Sequence, residues 1–481
     1  TYIEIGAMFP EAGGMSKYAQ YSHGSLLGFI AAWANWVSLI TLIPIEAVAA
    51  VQYMSTWPWA WATWTHKLLA NGVITNYGLV VVYGFIIVFT LLNFWSVKIL
   101  TRFTSLISVF KIGMPLLTII LLTLSGFHPQ NYGTSLHDFF PYGTAAVFAA
   151  TSAAGIIFSF DAFQTIINMG AEIEHPEKNI LRGITISLTI SGVLYVLLQS
   201  TFITAVPTKI LATAGWHGLN FNSPFADLAL LLGLSWLSVL LYMDAFVSPF
   251  GTGVSFAATA ARALFAMESN HHVPRWLGKL NPKYRIPRMA MIADTVLSII
   301  MVTTFRSWAV LATVLSTATL IAYLTGPVTA VSLRKLGAHL YRPVRLRSLN
   351  WIAPIAFVLT SLAVYWAMWP TTVQVILIIL IGLPFYFYFE WRSGFKELRS
   401  AIRPALWMLV YLIFISVMSY AGAHQFNGAD WIHYPWDFLV IGLCSLGFYY
   451  WGIHSWTTSD LPAAEKVNAT VAHIKDDWHE D

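Results

Sequence analysis

The chain has 481 residues, 57% of them apolar and only 10% charged, with 21 Trp and a mean hydropathy of +0.66. Soluble domains carry about 25% charged residues, so a water-soluble fold of this length would have too few charges to cover its surface, and the composition points to an all-α polytopic membrane protein. The single cysteine, Cys444, excludes disulfide frameworks and Cys-based zinc or iron–sulfur sites, and a net charge of +4 argues against a nucleic-acid partner.

The chain opens at Thr1 with neither an initiator Met nor a basic n-region, so it shows no signal peptide and its beginning looks cut. A hydrocarbon core of about 30 Å needs roughly 20 apolar residues of helix. Twelve such stretches are expected, at about 26 to 55, 78 to 95, 103 to 125, 143 to 170, 184 to 206, 235 to 267, 289 to 304, 308 to 331, 351 to 369, 372 to 389, 405 to 422 and 437 to 453. Sorting Lys and Arg by alternate connections places 22 on one side, from Lys17 to Lys475, against Lys67, Lys209 and Arg306 on the other, with Lys111 inside a span. The positive-inside rule makes the first side cytoplasmic, so both ends of the array face the cytoplasm. The polar segment from Thr457 to Asp481 reads as a short solvated tail.

Ionisable residues inside spans carry the functional information, because a charge at mid-bilayer costs about 2.5 to 3.5 kcal/mol on insertion scales. They are Glu46, Lys111, Asp161 and Asp244, with Arg262 and Asp294 near cytoplasmic ends where snorkelling accounts for them. The segment Gly155-Ile-Ile-Phe158-Ser159-Phe160-Asp161-Ala-Phe163-Gln164 lies within a span too long for one regular crossing, and is read as either a discontinuous helix with freed backbone groups, the form that the resemblance given below favours, or a continuous one with Asp161 hydrogen-bonded to a neighbour. Lys111, eight residues into its span, either carries a proton or snorkels to the nearby cytoplasm. Glu46 either lines a polar cavity or caps backbone groups loosened by Pro44, and Asp244 is read as either interfacial or functional. The 14 His fall almost entirely in loops and ends, with none at the facing mid-span positions of a haem b site. No P-loop, no HExxH and no nucleophile–base pair at one depth is found, so an intramembrane enzyme is disfavoured and neither cofactor nor metal is expected.

Three motifs in order, YIEIGAMFPEAGG near the start, FSFDAF followed by EIEHPEKN, and ARALFAMESNHHVPRWLGKLNPKYRIP, resemble the amino acid-polyamine-organocation (APC) superfamily of secondary transporters over residues 1 to about 331. The segments YSHG, IEAVAAVQYM, LLNFWSVK and DAFVSPFGTG look most like its bacterial aspartate/proton symporter branch. The resemblance implies a leucine-transporter-like five-plus-five inverted repeat with two to four additional C-terminal helices. In the family's numbering this chain begins inside the second helix, and the first, whose Gly-Ser-Gly break holds the substrate carboxylate in relatives, is not seen. On that frame 1–25 is a remnant of helix 2 and a cytoplasmic loop, 26–331 the transporter core, 332–456 peripheral helices and 457–481 a cytoplasmic tail.

Carried over by resemblance, Phe158 matches the aromatic that closes over substrate, and Ser159 and Phe160 match the unwound backbone that receives the substrate ammonium. Asp161 replaces the commoner apolar residue there. Its carboxylate would strengthen ammonium binding, or repel an acidic side chain unless protonated or paired. Glu46 and Phe256 fall on helix faces that meet substrate, and Lys111 matches the lysine that stands in the place of a sodium ion in proton-coupled relatives. The implied function is secondary active transport of an amino acid in the cytoplasmic membrane, by proton-coupled symport, with aspartate or glutamate as a candidate substrate. An obligate exchanger and a transport-inactive relative of the same fold are the alternatives.

Overall fold

A computed structural model describes residues 1–94, 97–161, 163–219, 221, 223–284, 286–392, 394 and 398–476, without the side chains of 97–106, 108, 136, 153, 398–399 and 472–476. Among the basic residues used for orientation, Arg285 and Lys396 thus lie outside the described residues, as do the side chains of Lys98, Arg102, Arg399 and Lys475.

The helices in chain order are α1 (Tyr2–Met8), α2 (Met15–Met54), α3 (Asn76–Leu92), α4 (Val97–Ser125), α5 (Leu136–Phe139), α6 (Gly143–Ala153), α7 (Ile156–Phe160), α8 (Phe163–Asn168), α9 (Pro176–Ala205) and α10 (Thr208–Ala214). They continue with α11 (Pro224–Leu231), α12 (Ser235–Ser269), α13 (Arg288–Phe305), α14 (Trp308–Leu336), α15 (Leu349–Tyr365), α16 (Thr371–Leu380), α17 (Leu383–Arg392), α18 (Leu398–Ala421), α19 (Trp436–His454) and α20 (Leu461–Asp476). The described strands are the two-residue pairs Leu69–Ala70 and Val73–Ile74, joined by Asn71 and Gly72 at φ 50° and 75°, the positive values that a tight hairpin demands.

Among the described residues, eight helical stretches are long and apolar enough to cross a membrane, and three shorter apolar helices, Asn76–Leu92, Val109–Ser125 and Leu349–Tyr365, accompany them. The interrupted run α6–α7–α8 takes the remaining expected position. The fold is therefore all-helical and polytopic, as the hydropathy pattern requires when every backbone polar group must be satisfied internally. The span expected at 372 to 389 is two helices, α16 and α17, meeting at Ile381–Gly382.

Helices α2 and α14 form the axis of the molecule and are buried along most of their length, whereas α9 and α13 present largely exposed apolar faces. Helix α2 starts at Met15, earlier in the chain than the hydropathy indicates. Its two parts join at Gly24, whose φ of 78° is left-handed and suits glycine. Beside that joint His23 is wholly buried: its Nε2 donates to the Gly452 carbonyl at 2.9 Å, leaving Nδ1 to accept from Ser22 at 2.7 Å. This buried histidine departs from the loop and terminal placement expected of the group.

The tail is a second departure. Rather than a solvated end, residues 461–476 form α20, docked on the bundle beside Met8 and Tyr341 with Ala464, Asn468 and Val471 buried. The Asn468 amide donates to the carbonyls of Met8 (3.2 Å) and Tyr341 (2.8 Å), and its Oδ1 accepts from Tyr341 N–H at 2.7 Å. Asp294 does not snorkel either. It is buried against α2, accepting a hydrogen bond from Trp36 Nε1 at 3.0 Å, because its helix turns that face inward. Arg262 does reach the surface, pairing with Glu172 at 3.4 Å.

Candidate functional site

The run from 143 to 168 breaks twice. Gly155 caps α7 with φ 80°, a left-handed conformation that L side chains rarely adopt, and an added Cβ there would lie 3.0 Å from the Trp308 ring. The second break follows Phe160, at Asp161, and helix resumes at Phe163. Ala162 lies outside the described residues.

Across the breaks, α7 is held by α9 and α14. Tyr195 donates to the Ser159 carbonyl at 3.2 Å, the Ser159 hydroxyl donates to the Gly155 carbonyl at 3.0 Å, and Phe158 meets Trp308 edge-on at 5.9 Å. Phe160 packs edge-on against Tyr195 at 5.3 Å and is half-buried. Asp161 is buried and accepts from two α14 hydroxyls, Thr319 at 2.9 Å and Tyr323 at 3.2 Å. The run is thus discontinuous rather than a continuous helix, and the hydrogen bonds to Asp161 occur within the broken form. Phe163 packs on Tyr323 at 5.2 Å, next to a cavity of about 240 Å³ bounded also by Tyr2, Leu188 and Thr360.

A second grouping lies between α2, α4 and α12. Lys111 on α4 donates from Nζ to Thr252 Oγ1 on α12. The charges it feels are Glu46, on α2, and Asp244, on α12. Glu46 is buried, and Lys111 is its electrostatic partner. Asp244 is half-buried and accepts from Ser248 at 2.7 Å, one turn along its helix. Lys111 therefore does not extend to the cytoplasmic surface as a snorkelling lysine would, since its ammonium is held by a mid-helix hydroxyl. Phe256, one turn beyond Thr252, packs half-buried against the main apolar core.

At one end of the bundle the three sequence motifs converge, a feature not foreseen from the sequence. Gly13 N–H donates to the Asn168 carbonyl at 2.6 Å, Ala12 pairs with Met169 as an isolated bridge, and a Cβ on Gly13 would fall 2.4 Å from that of Ala266. Glu172 of the EIEHPEKN turn meets Arg262 of the ARALF segment. Nearby, Glu4 of the opening motif takes both arms of Arg334, Nε at 2.8 Å and Nη2 at 2.6 Å, and the Leu346 N–H at 3.0 Å. Glycine and small residues in these motifs are explained by this close approach, which only backbone-level contact allows.

Among the described residues no group of three His, Cys, Asp or Glu is placed to hold a metal ion. The arrangement instead offers an interrupted helix with a hydrogen-bonded carboxylate, and a lysine placed among carboxylates inside the membrane. Such features mark solute and ion sites in membrane proteins.

Comparison with known proteins agrees. The amino acid permease family profile matches residues 1–389. The glutamate/serine transporter AimA of Bacillus subtilis is 48% identical over 472 residues, 98% of this chain and 87% of that protein. The aspartate-proton symporter of the same organism is 32% identical over 456 residues, covering 94% and 86% respectively. The branched-chain amino acid permease BcaP, also from Bacillus subtilis, is 24% identical over 409 residues, covering 81% and 82%. With these matches, a polytopic helical fold and a broken helix at its centre, the chain belongs to the amino acid permease family and is an amino acid transporter, not an enzyme.

Proposed function

We propose that this transporter is a proton-coupled symporter of acidic or small polar amino acids, working by alternating access in the cytoplasmic membrane with its C-terminus in the cytoplasm. The observation that carries the reading is Lys111, hydrogen-bonded to Thr252 with Glu46 and Asp244 as its charged neighbours. An amine that gains and loses one proton in this setting changes the charge of the helix interface by one unit, which is the differential interaction a coupled carrier needs. In the all-helical leucine-transporter-like frame, Phe158, Ser159 and Phe160 line the substrate site at the first half of the break, and Asp161 faces the substrate ammonium. The hydroxyls of Thr319 and Tyr323 hold the Asp161 carboxylate, so an acidic substrate is tolerated without bringing two bare carboxylates together. Glu46 biases substrate charge from α2, and Phe256 contributes an apolar wall.

The substrate class rests on the activities of two relatives above 30% identity, a glutamate/serine transporter and an aspartate-proton symporter. An obligate exchanger of the same fold is the rival, and it has no need of a proton site. Replacing Lys111 by Ala tests the choice. Proton-driven accumulation of L-glutamate, L-aspartate or L-serine is expected to be lost while exchange across the membrane persists. Undiminished uphill uptake by that variant would remove Lys111 from coupling.

A further inference from the structure

We propose that Asp244 is the residue through which protons reach Lys111 from the outer side of the membrane. The proposal rests on the proton-coupled reading above and adds to it an entry route and a residue that the sequence left open between interface and function.

Three observations support it. First, Asp244 and Ser248 line a cavity of about 250 Å³ whose other walls include Tyr53 at the end of α2 and the segment Ser223–Ala226 that opens α11. That end of the bundle carries the sparse Lys and Arg of the non-cytoplasmic side, so the cavity faces outward under the positive-inside rule. Second, the polar residues of α12 at 244, 248 and 252 follow one another at four-residue intervals, which places them on one stripe of the helix. The Ser248 hydroxyl donates to Asp244 Oδ1 at 2.7 Å, the Thr252 hydroxyl donates to the Ser248 carbonyl at 3.0 Å, and Lys111 Nζ donates to Thr252. The stripe therefore leads from the cavity to the lysine. Third, Asp244 and Lys111 interact electrostatically although they stand on different helices.

A serine one turn along would satisfy a carboxylate at any helix surface, and that alone carries no function. It does not account for a carboxylate that lines an outward cavity and stands on the same helix stripe as the hydroxyl that holds Lys111. The charged and titratable groups around Asp244 are few. Lys111 approaches from α4, Glu46 and Tyr53 from α2. From α11 comes Asp227, whose carboxylate already accepts from Tyr242 at 3.1 Å and from the Ser223 N–H at 3.1 Å. Asp227 is thereby committed to the loop, leaving Asp244 as the cavity's carboxylate next to the lysine.

The transfer is a pair of proton exchanges. Hydronium in the cavity gives a proton to the Asp244 carboxylate, yielding water and the carboxylic acid. Through intervening water the acid then gives that proton to the Lys111 amine, regenerating the carboxylate and forming the ammonium. No other bond is made or broken.

The test uses the full-length protein in proteoliposomes, with labelled L-glutamate, L-aspartate and L-serine as probes and uptake measured as external pH is varied at fixed internal pH. For Asp244→Asn, accumulation at neutral external pH should fall at least tenfold, and the external-pH profile should move to about tenfold higher proton concentration. Counterflow at equal pH, which needs no net proton movement, should fall by less than threefold. Asp244→Glu should restore the wild-type profile. If Asp244→Asn does not reconstitute, Ser248→Ala, which frees the carboxylate without removing it, should move the same profile. Wild-type external-pH dependence in either variant overturns the role of Asp244. Should Lys111→Ala abolish accumulation while Asp244→Asn leaves the profile unmoved, only the entry route fails. Undiminished accumulation in Lys111→Ala would instead defeat the coupling reading itself.

Discussion

Replacing Glu4 by Gln probes the ionic clamp between the first helix and the C-terminal end of α14. The Glu4 side chain is 2% exposed and that of Arg334 17%, and the carboxylate accepts three hydrogen bonds, two from Arg334 and one from the Leu346 N–H. Arg342 Nε stands 3.9 Å from Oε1 on the other side. Gln keeps the volume and one acceptor but leaves two guanidinium groups facing each other without a counter-charge. Breaking a buried pair from one side costs about 3 to 5 kcal/mol, and the partial exposure of Arg334 lowers the expectation here to about 2 to 4 kcal/mol. Equilibrium unfolding in mixed detergent micelles, followed by Trp fluorescence, reads this directly. Because a buried pair replaced as a unit by apolar groups is close to neutral, Glu4→Gln combined with Arg334→Met should be less destabilised than the sum of the two single variants, by about 1 kcal/mol or more. A Glu4→Gln variant within about 0.5 kcal/mol of wild type would refute the reasoning, since that is the range of an ordinary surface change.

On the proposed binding mode, Asp161→Asn removes the charge that would face the substrate ammonium; the loss of one charge-assisted hydrogen bond, about 1.5 kcal/mol, should raise the apparent KM for L-serine at least tenfold, and saturation curves with an unchanged KM would exclude Asp161 from binding. Asn468→Ala deletes three hydrogen bonds that pin α20. At a net loss of about 2 kcal/mol, limited proteolysis of the tail should accelerate about 30-fold, and an unchanged rate would mean that α20 is held by its apolar face alone. His272, in the connection after α12, is packed between Phe29 and Tyr386, and burial, helped by His271, pushes its imidazole down from 6.5 to about 3. A group depressed in the folded state contributes its full stability above pH 6.5 and loses it as pH falls toward 3, because the unfolded chain takes up the proton first. Between pH 7.5 and 5 the loss is about 2 kcal/mol. His272→Phe should remove that slope from unfolding midpoints measured across the range, and an unaltered slope would assign the acid sensitivity elsewhere.

Much of the architecture could be read in the sequence because the bilayer is an unforgiving solvent. An apolar run of membrane length has few structural options, and a glycine-opened run carrying Ser159 and Asp161 at mid-depth has fewer still. The break at Gly155 and the intramembrane placement of Lys111 follow from such local patterns. The convergence of Glu46, Lys111 and Asp244 does not, since they belong to three helices and meet only through the packing of α2, α4 and α12. For the same reason Asp244, legible as an ionisable residue in a span, could not be told from an interfacial one. Glu4 and Arg334, 330 residues apart, are joined by the return of α14 to the end of the bundle that holds α1, and neither residue advertises the other. Helix α20 did leave a signal: Leu461, Ala464, Asn468 and Val471 recur at three- and four-residue intervals, a helical stripe in which one buried polar residue disguised the docking face. Asp294 was misplaced because nearness to a span's end says nothing about which way its helix turns.

The central claim, proton-coupled symport of an amino acid, is tested most directly by uptake. The full-length protein is reconstituted in proteoliposomes with an inward proton gradient and no sodium, and offered labelled glutamate, aspartate, serine, leucine and lysine. The account predicts accumulation of glutamate, aspartate or serine above equilibrium, abolished by a protonophore, with leucine and lysine excluded. Counterflow against internal substrate without any gradient-driven accumulation would contradict it and make the protein an exchanger.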